Sequence, residues 1–290
     1  MRIRTFRPRF PVNLRLTLVP VRRGSADPTM RLGPDGAWRA TRTPDGPGSE
    51  HVVAGGGEVT VRAWGPGADW LVEHAPALVG ADDDDSSFVA HHPIVADLHR
   101  RLRGLRLPRT GAVVEALVPS ILEQKVIGLE ARRSYASLVR RLGEPAPGPV
   151  DLLVPPPPEA WAQAPSWTFH RCGVERKRAD TVRVACSAAR RLEEAPERMT
   201  ALPGIGPWTA AEVAGVALGD PDAVSVGDYH LPNQVSWALA GEPRGDDARM
   251  LELLEPYRGH RGRVLRLLAA GGIGAPRYGP RLPLQRIARL

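Results

Sequence analysis

The pattern of hydrophobic and polar positions changes near residue 90. Before that point two segments alternate with a period of two, "NLRLTLV" (Asn13–Val19) and "EVTVRAW" (Glu58–Trp64). This alternation is typical of strands with one buried face. "AWRATRT" (Ala37–Thr43) is a weaker third strand, and "DWLVEHAPAL" (Asp69–Leu78) favours a short helix. Residues 1–90 are therefore predicted to form a small antiparallel β-rich domain.

From His91 onward the hydrophobic period becomes helical. In "AVVEALVPSILEQKV" the apolar residues recur at spacings of three and four, with Pro119 as a predicted kink. The next segment ends at Gly143, a natural C-terminal cap. Further helices are predicted at Val174–Glu194, Trp208–Leu218, Leu231–Ala240, Asp247–Leu254 and Arg263–Ala270. The fold class is therefore α+β, with residues 91–290 forming a helical domain that ends in a basic tail.

Composition excludes several classes of protein. Hydrophobic residues make up 42% of the chain and charged residues 24%, which is ordinary for a soluble domain. No apolar stretch approaches the length of about 20 residues that a membrane span needs, and no signal peptide is evident, so we expect a cytoplasmic, nucleoid-associated protein. The only cysteines, Cys172 and Cys186, exclude a four-cysteine zinc or iron–sulfur site. Both are expected to be reduced.

We expect no metal site at either of two clusters of potential metal ligands. "DDDDSS" (Asp82–Ser87) is expected to be a solvated loop, because four consecutive carboxylates cannot all converge on one ion. His91 and His92 lack a partner at metal-ligand spacing.

The charge of the chain favours a polyanionic partner. The net charge is +7 and the isoelectric point is about 10.2. Residues 256–290 contribute eight arginines and no acidic residue. Two interpretations of this tail stay open: it lies along DNA as a nonspecific arm, or it is partly disordered.

The most specific local signal is "LPGIGPWTA" (Leu202–Ala210). Gly204 and Gly206 can adopt φ > 0 and allow another backbone to approach closely. Pro207 suits the first position of a helix. A glycine-rich turn that leads into a helix leaves unpaired N–H groups, which can bind a phosphate. Taken alone, a turn of this kind is more often a helix–helix corner that binds no ligand.

The whole string resembles the hairpin of the helix-hairpin-helix DNA glycosylase superfamily, L-P-G-[IV]-G followed by T-A. The resemblance requires a carboxylate about twenty residues later, and Asp228 in "GDPDAVSVGDYHLPN" follows Gly206 by 22 residues. Asp220 and Asp222 fit that offset less well. The segment Gly104–Val126 is similar to the entry into the helical core of the bacterial inducible 3-methyladenine DNA glycosylases. The resemblance extends over residues 104–268, and residues 1–90 match only in their strand-rich character.

The resemblance implies the roles of the site residues. Asp228 is the expected catalytic carboxylate, beside the sugar whose transition state resembles an oxocarbenium ion. Members that also cleave the strand have a lysine two residues after the second glycine, where this chain has Trp208. With lysines only at Lys125 and Lys177, the resemblance implies a monofunctional glycosylase without an amine nucleophile.

Trp208 is then expected to form a wall of the pocket for the flipped base, where its face would attract a cationic alkylated purine. Tyr229 and Tyr257 are similar in placement to other pocket aromatics of the family. The expected DNA-contacting residues lie in two loops: Gln124, Lys125, Leu202, Gly204, Ile205, Gly206 and Thr209.

Several details stay open. The family inserts a leucine into the DNA near Gln124 and Lys125, so a lysine there leaves the wedge residue undecided. Glu212 stands where the comparison enzyme has an aromatic residue; it either adds negative charge near a cationic base or faces solvent. His230 either orients Asp228 or is a histidine at a helix start. No cofactor is expected beyond K⁺ or Na⁺ on the backbone carbonyls of the hairpin.

The sequence therefore predicts a monomeric, monofunctional DNA glycosylase that releases alkylated purines of the 3-methyladenine type from damaged double-stranded DNA. Two alternatives stay open. One is a non-catalytic DNA-binding protein that retains the hairpin. The other is an enzyme of the same fold that removes a deaminated or oxidised base.

Overall fold

A computed structural model of the chain describes residues 1–276, so the last 14 residues of the predicted basic tail lie outside the described part. The N-terminal region forms one antiparallel sheet with the strand order β1-β5-β4-β3-β2. The strands are β1 (Arg2–Phe6), β2 (Met30–Gly33), β3 (Gly36–Thr43), β4 (Gly46–Gly55) and β5 (Glu58–Trp64). The predicted strands at β3 and β5 are confirmed.

Turn chemistry explains the strands that periodicity alone did not predict. The tripeptide Pro-Asp-Gly occurs at residues 34–36 and again at 44–46, and each copy closes a hairpin. Gly36 and Gly46 both have φ of +118°, a conformation that glycine adopts without steric cost. The repeated tripeptide is therefore a sequence signal for β2 and β4.

The prediction of a strand at Asn13–Val19 is wrong, because residues Leu14–Leu18 form a short helix, α1. The Asn13 side chain accepts a hydrogen bond from the backbone N–H of Leu16 at 3.1 Å and caps the helix. Leu14 and Leu18, four residues apart, pack against the sheet, whereas Leu16 packs against the helical part. Because the apolar side chains of this short helix pack into two cores on its opposite sides, apolar and polar residues alternate along the sequence as they would in a strand.

The rest of the described chain is mainly helical, as predicted. Its helices are α2 (Ala68–Leu78), α3 (Pro93–Arg101), α4 (Val113–Leu122), α5 (Gly128–Leu142), α6 (Pro158–Gln163), α7 (Ser166–Arg171), α8 (Arg176–Ser187), α9 (Ala189–Glu194), α10 (Pro207–Val213), α11 (Leu231–Ala240), α12 (Asp247–Leu254) and α13 (Arg261–Ala270). A two-stranded ribbon of β6 (Glu144–Pro145) and β7 (Leu153–Val154) interrupts them.

Two of the predicted helices differ from the structure in detail. The single helix predicted for Val174–Glu194 breaks at Ala188 into α8 and α9. The helix that begins at Pro207 continues through one π-helical stretch, Ala214–Leu218, and stops at Gly219 with φ of +67°. Bulges of this kind are frequent at functional sites.

The helices enclose two separate hydrophobic cores. The first lies among α4 to α10 and includes Leu117, Leu138 and Val182. The second lies among α3 and α11 to α13 and includes Leu254 and Leu267. The loop of residues 219–230 runs from the first core to the second, so a residue of this loop can contact both.

A buried charge cluster joins the sheet to the first helical core. Arg39 on β3 lies 3.2 Å from Glu50 on β4 and 3.2 Å from Glu115 on α4. One guanidinium thus faces two carboxylates. Burial raises the pKa of Glu50 to about 7, although its pairing with Arg39 opposes the shift.

The expectation that Asp82–Ser87 is a solvated loop is wrong for part of it. Asp83 pairs with Arg263 of α13 at 2.6 Å, and the two side chains are 6% and 2% exposed. Asp85 pairs with the buried Arg106 at 3.0 Å. The loop is held by arginines that follow it by 21 or more positions, and local composition could not show them.

Residues 256–276 are likewise part of the fold, since α13 packs in the second core. The described residues contain no helix long and apolar enough to cross a membrane. Nor does this part of the chain hold a cluster of three or more metal-ligating side chains.

We expect the contribution of Glu50 to the stability of the protein to fall as the pH rises from about 4.5 to about 7. Its folded-state pKa of about 7 lies above the unfolded value of 4.5, so the native state binds the proton more tightly. That contribution is complete below the unfolded pKa and is lost as the pH rises through the folded pKa. Across this range the free energy of unfolding of wild type should fall relative to that of Glu50→Gln by up to a few kcal/mol, at about 1.4 kcal/mol per pKa unit. Urea denaturation of both proteins at several pH values measures it. Parallel pH profiles would contradict it.

Removal of Asp83 should destabilise the fold strongly. The Asp83→Ala variant leaves the Arg263 guanidinium buried without its carboxylate, which typically costs about 3–5 kcal/mol. Glu255→Ala is the control, because Glu255 pairs with Arg258 at the surface, with side chains 53% and 66% exposed, and such pairs contribute up to about 1 kcal/mol. Chemical denaturation measures both, and equal small losses would show that the buried pair contributes nothing special.

Candidate active site

The glycine-rich turn lies between a 3₁₀ turn at Pro196–Ala201 and helix α10. Gly204 has φ of +85°, and a Cβ built on it would lie 2.6 Å from Thr181 Oγ1. Gly206 differs from the prediction, because its φ of −101° is ordinary extended backbone, and a Cβ there would have no atom within 4 Å. Gly204 therefore serves the packing of the turn, and Gly206 leaves open space at the start of α10, where Pro207 takes the expected first position.

Gln124 holds this turn from the neighbouring loop. Its Nε2 donates to the carbonyl oxygen of Gly204 and to Thr209 Oγ1, both at 2.9 Å. The predicted DNA contact of Gln124 stays a prediction, but its amide already has two acceptors within the protein. Lys125, the next residue, is exposed and has φ of +56°, the left-handed conformation that a lysine rarely adopts.

The side chains of the hairpin are mostly turned inward. Ile205 and Thr209 are buried, at 4% and 2% exposure, and Leu202 packs against the first helical core. Any contact of Ile205 or Thr209 with DNA would therefore run through the backbone.

Asp228 lies where the two helical cores meet. Its Oδ1 accepts the backbone N–H groups of His230 at 2.7 Å and Leu231 at 2.9 Å, which caps helix α11. Its Oδ2 accepts the indole N–H of Trp208, on α10, at 3.0 Å. Three donors thus fix a half-buried carboxylate at the N–H edge of the Trp208 ring. The two residues that sequence reasoning placed in one site are in direct contact.

The two tyrosines predicted to line the pocket have different positions. Tyr229 follows Asp228 and is 81% exposed, with its ring edge against His230. Tyr257 is 3% exposed and lies in the second helical core, where its hydroxyl contacts the backbone N–H and Nδ1 of His92 at 2.9 and 2.7 Å. The structure therefore does not bring Tyr257 to the surface beside Trp208. The side chain of His230 is exposed, and its backbone N–H, not its ring, binds Asp228.

The other aspartates of the loop have structural partners. Asp222 pairs with the Arg261 side chain and also accepts the backbone N–H groups of Arg261 and Gly259 at 3.0 and 2.8 Å. Asp220 Oδ1 accepts the N–H of Asp222 at 2.8 Å. These contacts anchor the loop to α13. Of the three aspartates in the loop, Asp228 is the one that contacts Trp208.

Known proteins resemble this chain in part of its sequence and in its fold. No protein-family model matches the chain. A curated protein of Mycobacterium tuberculosis, described as "Probable bifunctional transcriptional activator/DNA repair enzyme AlkA", is 31% identical over 163 residues, or 53% of this chain and 31% of that protein. The chain thus spans about a third of the length of the curated relatives it matches.

Among solved structures, the 3-methyladenine DNA-glycosylase of Archaeoglobus fulgidus superposes with a TM-score of 0.77, at 18% identity, over 91% of this chain and 97% of that one. An 8-oxoguanine glycosylase/lyase of Clostridium acetobutylicum superposes with a TM-score of 0.71, at 12% identity, over 93% and 96%. The chain therefore has the same overall fold as these two glycosylases.

Within this glycosylase fold, sequence reasoning missed two residues that support the site. Asp247 of α12 accepts the N–H of Gly227 at 3.0 Å and holds the loop just before Asp228. Ser225 is buried and donates its hydroxyl hydrogen to Glu212, one turn after Trp208 on α10. No local pattern marks Asp247 or Ser225, because each acts on a residue 13 to 20 positions away.

The two hairpin glycines should respond differently to substitution. Gly204→Ala is expected to lower the free energy of unfolding by about 1–3 kcal/mol, because the residue is held at positive φ against Thr181. Gly206→Ala should change it by less than about 1 kcal/mol, since its backbone is extended and its surroundings are open. Urea denaturation of both variants checks this, and equal losses would contradict the geometry described. A tolerated substitution at Gly206 then tests DNA binding without a folding defect.

Proposed function

We propose that this protein is a monofunctional DNA glycosylase that hydrolyses the N-glycosidic bond of flipped-out alkylated purines of the 3-methyladenine type. The observation that carries the proposal is the Asp228 carboxylate, fixed by three N–H donors and in contact with Trp208. The likeness to AlkA and to the Archaeoglobus fulgidus enzyme supports the choice of reaction class.

The chemistry requires a carboxylate near the sugar. As the glycosidic bond breaks, positive charge develops on C1′ and the ring oxygen, and a water molecule must then attack C1′. Asp228 would stabilise that charge and orient the water. Because its hydrogen bonds fix it before the substrate arrives, little reorganisation would be needed in the transition state. Alkylation has already made the base a better leaving group, so no general acid is required for it.

Lyase activity is not part of the proposal. Strand cleavage by this class of enzyme needs an amine that forms a Schiff base. Position 208, where the family's lysine stands, is a tryptophan, and the lysines of the chain are Lys125 in the α4–α5 loop and Lys177 in α8. We likewise propose that the reaction needs no redox cofactor.

Double-stranded DNA is the proposed partner, bound by a monomer. The open backbone at Gly206 and the exposed Lys125 lie on two loops that Gln124 ties together. The N–H groups at the start of a helix attract phosphate, and the strained backbone of Lys125 is of the kind that functional loops retain. We therefore propose that Lys125, more than Gln124, meets the DNA.

A monovalent cation would fit the hairpin. The carbonyl oxygens of Leu202 and Gly204 each accept one hydrogen bond, from Ile205 N–H and from Gln124 Nε2. A carbonyl oxygen has a second lone pair, so both could also serve as ligands. Bound there, the ion would add positive charge next to a DNA phosphate.

The proposal is tested by base release from methylated duplex DNA under single-turnover conditions. Wild type should release 3-methyladenine without strand cleavage before alkali. The Asp228→Asn variant, which retains an oxygen to cap α11, should lose at least about 100-fold in rate through the loss of charge. Trp208→Ala should lower the release rate far more than it weakens binding to undamaged DNA.

Asp246→Asn is the matched control, because Asp246 caps α12 through the N–H of Arg249 at 2.9 Å and has no part in the site. Its release rate should equal that of wild type. Tight DNA binding without release of any base would instead identify a non-catalytic DNA-binding protein. Release of only deaminated or oxidised bases would identify a different substrate class.

A further inference from the structure

A second carboxylate lies beside the Trp208–Asp228 pair. Glu212 follows Trp208 by four residues on the same helix, so the two side chains share one face of α10 and of the π-helical turn that continues it. Its Oε1 accepts the hydroxyl hydrogen of Ser225, which is 5% exposed and lies three residues before Asp228. Both carboxylates are therefore connected to the loop segment Ser225–Asp228: Asp228 is its last residue, and Glu212 on α10 is bonded to its first.

Glu212 forms no ion pair with the part of the chain that the structure describes: no arginine, lysine or histidine there lies within ion-pair distance of it. Its Oε1 accepts the hydrogen bond of Ser225. Burial raises the pKa of Glu212, and the negative charges of Glu123 and Asp228 add to the shift, while the Ser225 hydrogen bond and the more distant Arg23 oppose it. A partly buried carboxylate with a raised pKa, one hydrogen bond from Ser225 and no ion pair is a candidate ligand-binding group.

One arginine that interacts electrostatically with Glu212 has an incomplete set of hydrogen bonds. Arg266 of α13 is near enough for Glu212 to affect its pKa, which burial lowers. Its Nε has no hydrogen-bond partner, and its Nη2 reaches only the carbonyl oxygen of Leu16, at 3.4 Å. Although Glu212 and Arg266 attract each other, they are not in contact. Arg266 therefore does not neutralise Glu212 through a direct ion pair.

We propose that Glu212, oriented by Ser225, pairs with the positive charge of an N-alkylated purine that lies against Trp208. This inference rests on the proposed function and deepens it, because it names cationic purines as the substrate class. A purine methylated at N3 or N7 carries a positive charge that is shared with its exocyclic amino group. A carboxylate oxygen accepts that N–H group, and the indole face adds attraction for the cation. A neutral purine gains only the weaker hydrogen bond.

Binding measures this selectivity without depending on catalysis. The probe is a DNA duplex with 2′-fluoroarabino-7-methylguanosine, whose glycosidic bond resists cleavage, compared with the same duplex carrying 2′-fluoroarabinoguanosine. Wild type should bind the cationic duplex at least about tenfold more tightly, and Glu212→Gln should lose that preference. Ser225→Ala, which frees Glu212 to rotate, should lose part of it. A preference that persists in Glu212→Gln, or is absent in wild type, would overturn the inference.

Base release separates this inference from the proposed function. If wild type releases no base at all, the proposed function fails, and the binding comparison still decides the role of Glu212. If wild type releases 7-methylguanine, Glu212→Gln should reduce that rate at least about tenfold. An undiminished rate would count against the inference alone.

Thermal stability distinguishes substrate recognition from a structural role. Glu212→Gln removes an unpaired, partly buried charge, so its melting temperature should equal or exceed that of wild type. A structural glutamate would give a lower melting temperature and equal losses on both duplexes, which would also overturn the inference. Glu197→Gln is the surface control, with a side chain 72% exposed in the 3₁₀ turn before the hairpin, and should change neither measurement.

Discussion

The geometry of the site depends on one set of hydrogen bonds, those that the Asp228 carboxylate accepts. Two come from backbone N–H groups at the start of α11 and one from the indole of Trp208 on α10. Because the two helices belong to different hydrophobic cores, the carboxylate is placed by the packing of both halves of the helical region. The helix cap and the candidate catalytic position are the same residue, so the need to satisfy α11 also fixes the chemistry.

The loop that carries Asp228 is held by charges from beyond its own sequence. Asp222 binds Arg261, and the N–H of Gly227 binds Asp247. Gly262 allows the close approach, since a Cβ there would lie 2.7 Å from the carbonyl oxygen of Ala223. The loop is thus held at Asp222 and at Gly227, and the residues that follow Gly227 form its part of the candidate site.

Partly buried charges at the candidate site and buried charges elsewhere in the fold differ in whether they have a partner of opposite charge. Glu212 is partly buried without a counter-ion, whereas Asp83 and Arg263 form a closed, buried pair. Removal of one partner of such a pair is costly, so the fold retains it. An unpaired carboxylate contributes nothing comparable to folding, which is why we propose a role in substrate binding for Glu212.

The sequence by itself predicted the glycine-rich turn from local turn chemistry, and the resemblance of the hairpin and its spacing to a known family grouped Trp208 with Asp228. The structure shows that these two residues are in contact, and their roles stay predictions. The sequence also determined α11 and α12, whose hydrophobic periods and flanking residues are local. Only the tertiary structure decided that Asn13–Val19 contains a helix, since two cores on opposite sides of it imitate the alternation of a strand. The partners of Gln124 and Glu212, and the burial of Tyr257, likewise depend on contacts between residues 13 to 165 positions apart. No local pattern can show such contacts, because burial and charge pairing exist only once the chain has folded.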